Sequence, residues 1–485
     1  MLKRLIPAAA LCATVVCAMW LSPAAADVRL PKIISDHMVL QAEKPVALWG
    51  WADSGEKVTV KIAGQTHRTA AGSDGRWKVQ LKPLKGGSAP LSLSVAGKDN
   101  RLSVSDILVG EVWLASGQSN MEKPMRNQRG QKDVFDAEAE LAKADYPQIR
   151  FFKVKRARIT APAEDVEGQW VICDPKTLDE TQFSAAAYFF GRRIHTETKA
   201  PVGLIEAAWG GTRIEPWTAP EGFAAIPSLQ RFTGLKPGAK VDGADVSYLY
   251  NGMIAPLAPY GLRGAIWYQG ESNIIDVDAQ PDYTDKMQAL IEGWRKVFGQ
   301  TFDFYYVQVA PHLYHVVRPN TIVSAEATPL LWEAQTDALR IPGTGMIVTT
   351  DLTDDLFDIH PRNKKDIGER LAGLALRQTY ARQNLIVSGP RFRSLTVENG
   401  KATLSFDDIG GGLIAKDGKA LNWFAISGAD GQWYPAAAVI DGERIIVSSP
   451  KVPVPVAVRF AWDEAAQPNL FNKEGFPAWP FRTRP

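Results

Sequence analysis

From Asp106 to about residue 385, strand-like apolar runs alternate with helix-like stretches, and this alternation restricts the fold more than any other feature. The strand-like runs lie at 107–114, 202–205, 264–268, 304–309 and 345–350. Helix-like stretches lie at 185–198, at 282–298 and after His360. Because this order is typical of a parallel sheet covered by helices, we predict an α/β domain at 106–385.

The segments on both sides of this domain have the pattern of β structure. At 27–105, β-branched or alternating runs at 46–51, 57–62 and 91–95 are separated by glycine- and aspartate-rich turns. Short strands at regular spacing predict a small β-sandwich domain there. At 386–485 the runs at 401–406 and 444–448 predict either a second small β domain or strands that complete the first.

The first 26 residues have the pattern of an export signal. Two basic residues, Lys3 and Arg4, precede an apolar stretch at 5–21, and three alanines at 24–26 precede Asp27. We predict a cleaved signal peptide and a periplasmic or extracellular protein, the alternative being a retained membrane anchor.

Cleavage would change the charge and the cysteine content of the chain. Loss of Lys3 and Arg4 from the 55 basic residues would balance the 53 acidic residues. A neutral protein has no electrostatic attraction to nucleic acid or to anionic membranes, so neither is predicted as a partner. Cys173 would be the one remaining cysteine, which excludes an intrachain disulfide, and no cysteine–histidine spacing indicates a metal site.

Four polar clusters follow predicted strands, where open α/β sheets bind their ligands. The first, at 116–120, places Ser119 on a glycine-bearing turn, which makes it a candidate nucleophile once a base is nearby. Gln118 beside it is a candidate substrate contact. A plain turn is the alternative for this cluster.

The second cluster, at 209–213, contains adjacent glycines. Gly210 and Gly211 let the backbone approach a ligand closely, so either N–H is a candidate oxyanion donor, although a tight turn is the favoured explanation when the pair is taken alone. Arg213 and Trp217 are candidate substrate contacts, and Arg213 is equally a candidate for a structural ion pair.

The third and fourth clusters supply amides, acids and a histidine. At 267–273, Gln269 and Asn273 are candidate amide donors to an oxyanion, and Glu271 is a candidate acid or support for a histidine. At 358–361, His360 is the candidate general base. Asp358, two residues earlier, is the candidate acid that orients it, since alternate residues of an extended segment share a side.

These clusters together resemble the SGNH-type esterases, in the branch of sialate O-acetylesterases and acetylxylan esterases. The resemblance rests on the motifs at 117–120, 209–212, 267–271 and 358–364, and on flanking sequences at 35–41 and 475–481. It implies an SGNH hydrolase domain with flavodoxin-like layers, parallel sheet and helices, joined to small β-sandwich modules. It also implies Ser119 as nucleophile, His360 as base, and the backbone N–H groups of Ser119 and a nearby glycine as oxyanion donors.

The family resemblance implies an enzyme that removes O-acetyl groups from sugars without a metal, and the sequence gives no basis for an organic cofactor. The favoured substrate is acetylated xylan or its oligosaccharides, and sialic acid acetylated at its 9-hydroxyl is the alternative. A carbohydrate-binding protein with a degenerate hydrolase domain is the alternative from another class. The sequence gives no prediction of oligomeric state.

Overall fold

The computed structural model describes residues 27–126, 130–236, 238–276, 282–317 and 323–483. The predicted signal peptide at 1–26 lies outside these residues. Within the described ranges, no helix has the length and apolar character needed to cross a membrane.

The N-terminal part consists of short strands that pair mainly antiparallel. Their bounds are β1 Val39–Gln41, β2 Val46–Trp51, β3 Lys57–Ile62, β4 Gln65–Ala70, β5 Arg76–Leu81, β6 Gly87–Ala96 and β7 Arg101–Gly117. Strand β2 pairs with β5, whereas β3 pairs with β4 and β6. The strands predicted at 46–51, 57–62 and 91–95 coincide with β2, β3 and part of β6.

Strand β7 passes through the predicted domain boundary at 105–106. Its 17 residues extend well beyond the predicted strand at 107–114. Its first half pairs with β6 and with β1, and its last residues join the central sheet. The N-terminal β strands and the α/β region therefore share one continuous strand, and the boundary drawn from the sequence cuts through it.

The central region alternates strands and helices. Its helices are α1 Ser119–Glu122, α2 Ala137–Ala142, α3 Pro175–Glu180, α4 Ala185–Thr198, α5 Pro220–Ala225, α6 Glu271–Asp276, α7 Tyr283–Phe298, α8 Tyr314–Val317, α9 Ala327–Asp337 and α10 Lys364–Gln378. Its strands are β8 Tyr146–Lys153, β9 Trp170–Cys173, β10 Val202–Ala208, β11 Lys240–Val241, β12 Ala244–Asp245, β13 Gly264–Tyr268, β14 Asp303–Val307 and β15 Thr344–Ile347. Single turns of 3₁₀ or π helix occur at Glu215–Trp217, Pro227–Phe232, Tyr250–Ile254, Ala255–Leu257 and Ala338–Arg340.

The central sheet has the order β15-β14-β13-β7-β10-β8-β9. All of its pairs are parallel except the antiparallel pair of β8 and β9, so the sheet is mixed at one edge. The four later strand predictions match β10, β13, β14 and β15. Strands β8 and β9 were not predicted. The five predicted strands are β7, β10, β13, β14 and β15 in chain order, and they lie side by side in the sheet as β10-β7-β13-β14-β15.

Both faces of the central sheet are buried. Along β7, Val112 and Leu114 belong to one apolar core, whereas Trp113 and Ala115 belong to the other. Helices α4 and α10 pack together on the second face, and Trp294 of α7 lies in the core of the first. Because alternate residues of a strand point to opposite faces, the sheet is a middle layer between helices.

The C-terminal part is again made of strands. Their bounds are β16 Arg391–Glu398, β17 Lys401–Asp407, β18 Leu413–Ala415, β19 Phe424–Ser427, β20 Trp433–Pro435, β21 Ala437–Asp441, β22 Arg444–Ser448, β23 Ala457–Phe460, β24 Leu470–Asn472 and β25 Phe481–Arg482. They form sheets of order β16-β17-β22-β21 and β20-β19-β23-β25 and a pair of β18 with β24. No strand of these sheets pairs with the N-terminal strands in the described chain.

The sheet order determines where a ligand can bind. Strand β7 lies between β10 and β13, so the connections that follow these strands diverge at its carboxyl end. A crevice opens at such a switch point in an open α/β sheet. Three of the four polar clusters follow β7, β10 and β13, and the sheet brings them to this edge.

Candidate active site

A sharp turn at the end of β7 presents Ser119. Gly117 has φ +135°, and a Cβ atom there would lie 2.2 Å from the carbonyl oxygen of Tyr268 on β13. Only glycine fits this contact. Helix α1 begins at Ser119 itself, and the side chain of Ser119 reaches a cavity at the edge of the sheet.

His360 lies in the loop between β15 and α10 and contacts the serine. Its Nε2 is 2.9 Å from Ser119 Oγ, within hydrogen-bonding distance. Asp358 stabilises the loop, since its Oδ1 accepts the backbone N–H of His360 at 2.9 Å. The same oxygen is 3.6 Å from His360 Nδ1, so the pair is close enough for charge attraction but longer than a hydrogen bond. The structure thus brings all three predicted catalytic side chains together.

The surroundings of His360 keep its imidazole neutral. Burial, followed by the nearby cations Lys364 and Lys123, lowers the pKa of His360 to about 4, while Asp358 acts in the opposite direction. A neutral imidazole has the free lone pair that a general base needs to take the serine proton. At neutral pH His360 is therefore in the form that a general base requires.

The low pKa of His360 predicts an unusual acid tolerance. Protonation inactivates the base, and the imidazolium accumulates only below a pH of about 4. We expect kcat/KM for p-nitrophenyl acetate to stay constant from neutral pH downwards and to fall with a midpoint near pH 4. A midpoint close to the ordinary histidine value, measured under conditions where the protein stays folded, would contradict this expectation.

Ser119 and His360 line a cavity of about 720 Å³. Its remaining lining residues are Gln118, Glu122, Lys123, Pro124, Gln131, Lys153, Arg156, Gln182, Trp209, Gly210, Gly211, Ser272, Ile275 and Ile359. The cavity is large enough for a sugar residue, because small-molecule pockets start at about 300 Å³.

Two backbone groups are available to an oxyanion. The N–H groups of Ser119 and Gly211 donate to no acceptor within the described part of the chain. The N–H of Gly210, also predicted as a donor, is used differently. It donates to Glu122 Oε2 at 2.9 Å. Gly211 therefore fits the role of glycine donor, and the assignment of Gly210 is corrected.

The amide predictions at the third cluster are also corrected. Gln269 and Asn273 are fully buried and do not line the cavity. Gln269 Nε2 donates to Asn273 Oδ1 at 2.7 Å, and Asn273 Oδ1 also accepts the backbone N–H of Ile214. These amides tie the turn after β10 to the turn after β13, so they are engaged in holding the site together.

Gln118 has a more specific position than the sequence suggested. Its Oε1 accepts from Gln269 Nε2 at 3.2 Å and from the backbone N–H groups of Gly270 and Ser272. This orientation leaves Nε2 as the polar end with which Gln118 faces the cavity beside Ser119. An amide N–H held in this way fits a third oxyanion donor.

The two predicted substrate contacts, Arg213 and Trp217, both make structural contacts, and Arg213 also lines an adjoining cavity that shares Trp209 and the glycine pair with the cavity at Ser119. Arg213 is buried and forms an ion pair with Glu215, and its Nη1 donates to the carbonyl of Asp242 at 2.6 Å. The indole of Trp217 is fully buried in the core, and its N–H donates to Thr212 Oγ1 at 2.9 Å. Neither side chain lines the catalytic cavity.

A buried polar network beneath Ser119 was only partly foreseen. Lys364 Nζ donates to Asn120 Oδ1 at 2.6 Å, and Asn120 Nδ2 donates to Glu271 Oε1 and to the carbonyl of Ile359. Glu271 has no recorded contact with His360 and so supports Asn120. Of the two roles predicted for Glu271, the structure therefore fits support and not that of the acid beside His360. Asn120 and Lys364 lie within the motifs at 117–120 and 358–364, yet nothing in their residue types predicts that their side chains are in contact.

The described residues contain no group of three or more histidine, cysteine, aspartate or glutamate side chains arranged to hold a metal ion.

Comparison with known proteins gives one consistent result. A family model described as carbohydrate esterase, sialic acid-specific acetylesterase, matches residues 109–377. The sialate O-acetylesterase of Homo sapiens is 32% identical over 501 residues, covering 93% of this chain and 92% of its own. That of Rattus norvegicus is 29% identical, covering 94% of each.

A solved structure agrees with the sequence relatives. The crystal structure of a carbohydrate acetylesterase from Xanthomonas citri is similar with a TM-score of 0.84 and 35% identity. The alignment covers 94% of this chain and 99% of that one, so it includes the β regions on both sides of the central sheet.

Proposed function

The chain belongs to the carbohydrate esterase family of sialic acid-specific acetylesterases and is a carboxylic ester hydrolase, and from this premise we propose that it removes O-acetyl groups from sugar hydroxyls through an acetyl-Ser119 intermediate. The observation that carries the mechanism is the 2.9 Å contact between His360 Nε2 and Ser119 Oγ inside a sugar-sized cavity.

The proposed reaction has two steps. His360 takes the proton of Ser119 as Oγ attacks the acetyl carbonyl, and the oxyanion is held by the N–H groups of Ser119 and Gly211 and by Gln118 Nε2. The imidazolium then protonates the departing sugar oxygen. In the second step, His360 takes a proton from a water that attacks the acetyl-enzyme, and it returns this proton to Ser119 Oγ as the bond to Oγ breaks and acetate leaves.

Fold and location form part of the same proposal. The strand order β10-β7-β13-β14-β15 is the order of flavodoxin-like sheets, which supports an SGNH-type hydrolase domain between β modules. The basic, apolar and alanine-rich pattern of residues 1–26 supports export to the periplasm or the medium.

Two substrate classes are candidates, neutral acetylated xylan or its oligosaccharides and O-acetylated sialic acids. The charge of the cavity favours the acidic sugar. Among the described lining residues, Lys123, Lys153 and Arg156 are cationic, and Glu122 is the one carboxylate. Glu122 pairs with Arg156, and Lys153 lies 3.1 Å from buried Glu206, whose pKa burial raises. The excess of positive charge suits a substrate that carries a carboxylate.

Acetate release from both substrate classes tests this choice. We expect a higher kcat/KM for an O-acetylated sialic acid than for its methyl ester, which differs only in charge. Replacing Lys153 with methionine should reduce this preference about tenfold, the cost of one charge-assisted hydrogen bond. Lys155→Met is the matched control, since Lys155 is exposed outside the cavity. Equal rates on acid and ester would favour the neutral acetylated xylan substrates.

A further inference from the structure

We propose that Lys364 is a positioning residue of this reaction, because its side-chain nitrogen, through Asn120, links the helix that begins at Ser119 to the loop that carries His360. The proposal rests on the proposed function and concerns a residue that lines no part of the cavity.

The contacts of Asn120 show how the link is made. Asn120 directly follows Ser119, and its Nδ2 donates to the carbonyl of Ile359, the residue before His360, at 3.0 Å. Its Oδ1 accepts from Lys364 Nζ at 2.6 Å. One amide therefore joins the nucleophile, the base loop and the first residue of α10.

Glu271, the first residue of α6 after β13, completes the network. Its Oε1 accepts from Asn120 Nδ2, whereas its Oε2 is buried without a hydrogen-bond partner in the described chain. Asn120, Glu271 and Lys364 are all buried, and Lys364 Nζ lies 5.2 Å from the ring centre of Tyr268. Burying a charged side chain is costly without a partner, so the network favours a single arrangement of these segments.

The charge of Lys364 has a second effect on the histidine. Burial lowers the pKa of Lys364 to about 7, so at pH 4 its side chain is protonated. The charged or titratable groups that act on His360 are Lys364 of α10, Lys123 after α1, Asp358 of its own loop and His312 after β14. Glu271 and Asp354 act on Lys364. Removal of the Lys364 charge therefore raises the pKa of His360.

Substitution of Lys364 tests both effects. In Lys364→Met we expect kcat for p-nitrophenyl acetate to fall by up to about 100-fold with KM almost unchanged, because the network positions the catalytic groups and does not touch substrate. The acid limb, which is the fall of kcat/KM on the acidic side of the pH profile, should move to higher pH. Lys364→Gln keeps an N–H donor for Asn120 without the charge, so it should recover part of kcat and still show the moved acid limb.

Lys365→Met is the matched control. Lys365 is the next residue, is half-exposed and pairs with Glu140 at 2.8 Å, so its loss should change neither kcat nor the acid limb. A folded Lys364→Met variant that behaves like this control would overturn the proposal. If the methionine variant does not fold, an unmoved acid limb in Lys364→Gln overturns it.

If neither Lys364 variant folds, Asn120→Ala takes their place, because it removes the amide that joins the start of α1 to the loop that carries His360. A folded Asn120→Ala variant that keeps the wild-type kcat would overturn the proposal. An inactive wild-type enzyme would instead contradict the proposed function.

Discussion

Replacement of Ser119 with alanine is expected to lower kcat for p-nitrophenyl acetate by about 10⁶-fold while leaving the fold intact. The hydroxyl is the only part of Ser119 that is lost. The turn at Gly117 and the backbone N–H of Ser119 do not depend on it. Without Oγ no acetyl-enzyme forms, and only slow attack by water within the oxyanion site remains.

Ser272→Ala is the matched control for this experiment. Ser272 lines the same cavity, and its contact with Gln118 is made by the backbone, which the substitution keeps. We expect less than a tenfold change. A similar loss in both variants, or an active Ser119→Ala variant, would mean that another group is the nucleophile.

Replacement of Asp358 with asparagine is expected to lower kcat/KM by about 10⁴-fold at neutral pH, the cost of losing the acid of a catalytic triad. The 3.6 Å separation from His360 Nδ1 is longer than a hydrogen bond, and such contacts often shorten when substrate binds. Loss of the carboxylate also removes the interaction that raises the pKa of His360, so the remaining acid limb should move to lower pH.

Asp355→Asn is the control for Asp358. Asp355 lies in the same loop, pairs with Lys132 at 2.8 Å and accepts the backbone N–H of Phe357. Its substitution should leave the pH profile unchanged. A loss below tenfold in Asp358→Asn would indicate a serine–histidine dyad, in which Asp358 serves only to accept the backbone N–H of His360.

The sequence was sufficient to predict five strands of the central sheet and to single out Ser119 and His360, whose side chains the structure brings together. Buried parallel strands are continuous apolar runs, and Ser119 and His360 follow such strands in recognisable motifs. The predicted N-terminal boundary falls inside β7, because β7 is apolar or alternating along its whole length while its pairing partners change from β6 to β10 and β13. Pairing partners are a tertiary property that a local pattern does not contain.

The side-chain assignments failed for a different reason. Gln269, Asn273 and Arg213 are polar residues near the site, yet each is buried and bonded to neighbouring turns. Residue type shows that an amide or a guanidinium can donate hydrogen bonds, but only the packed structure shows which acceptor receives them. For Gln118 the packed structure does support a role at the site. Three donors hold its Oε1, so its Nε2 is left to face the cavity.

The most direct test of the central claim is rapid quenching of the wild-type enzyme with an O-acetylated sugar, followed by mass spectrometry of its peptides. We predict one added acetyl group, located on Ser119, that appears before steady-state acetate release and is lost as turnover ends. Acetate release without acetylation of Ser119, or with the acetyl group on a different residue, would contradict the account.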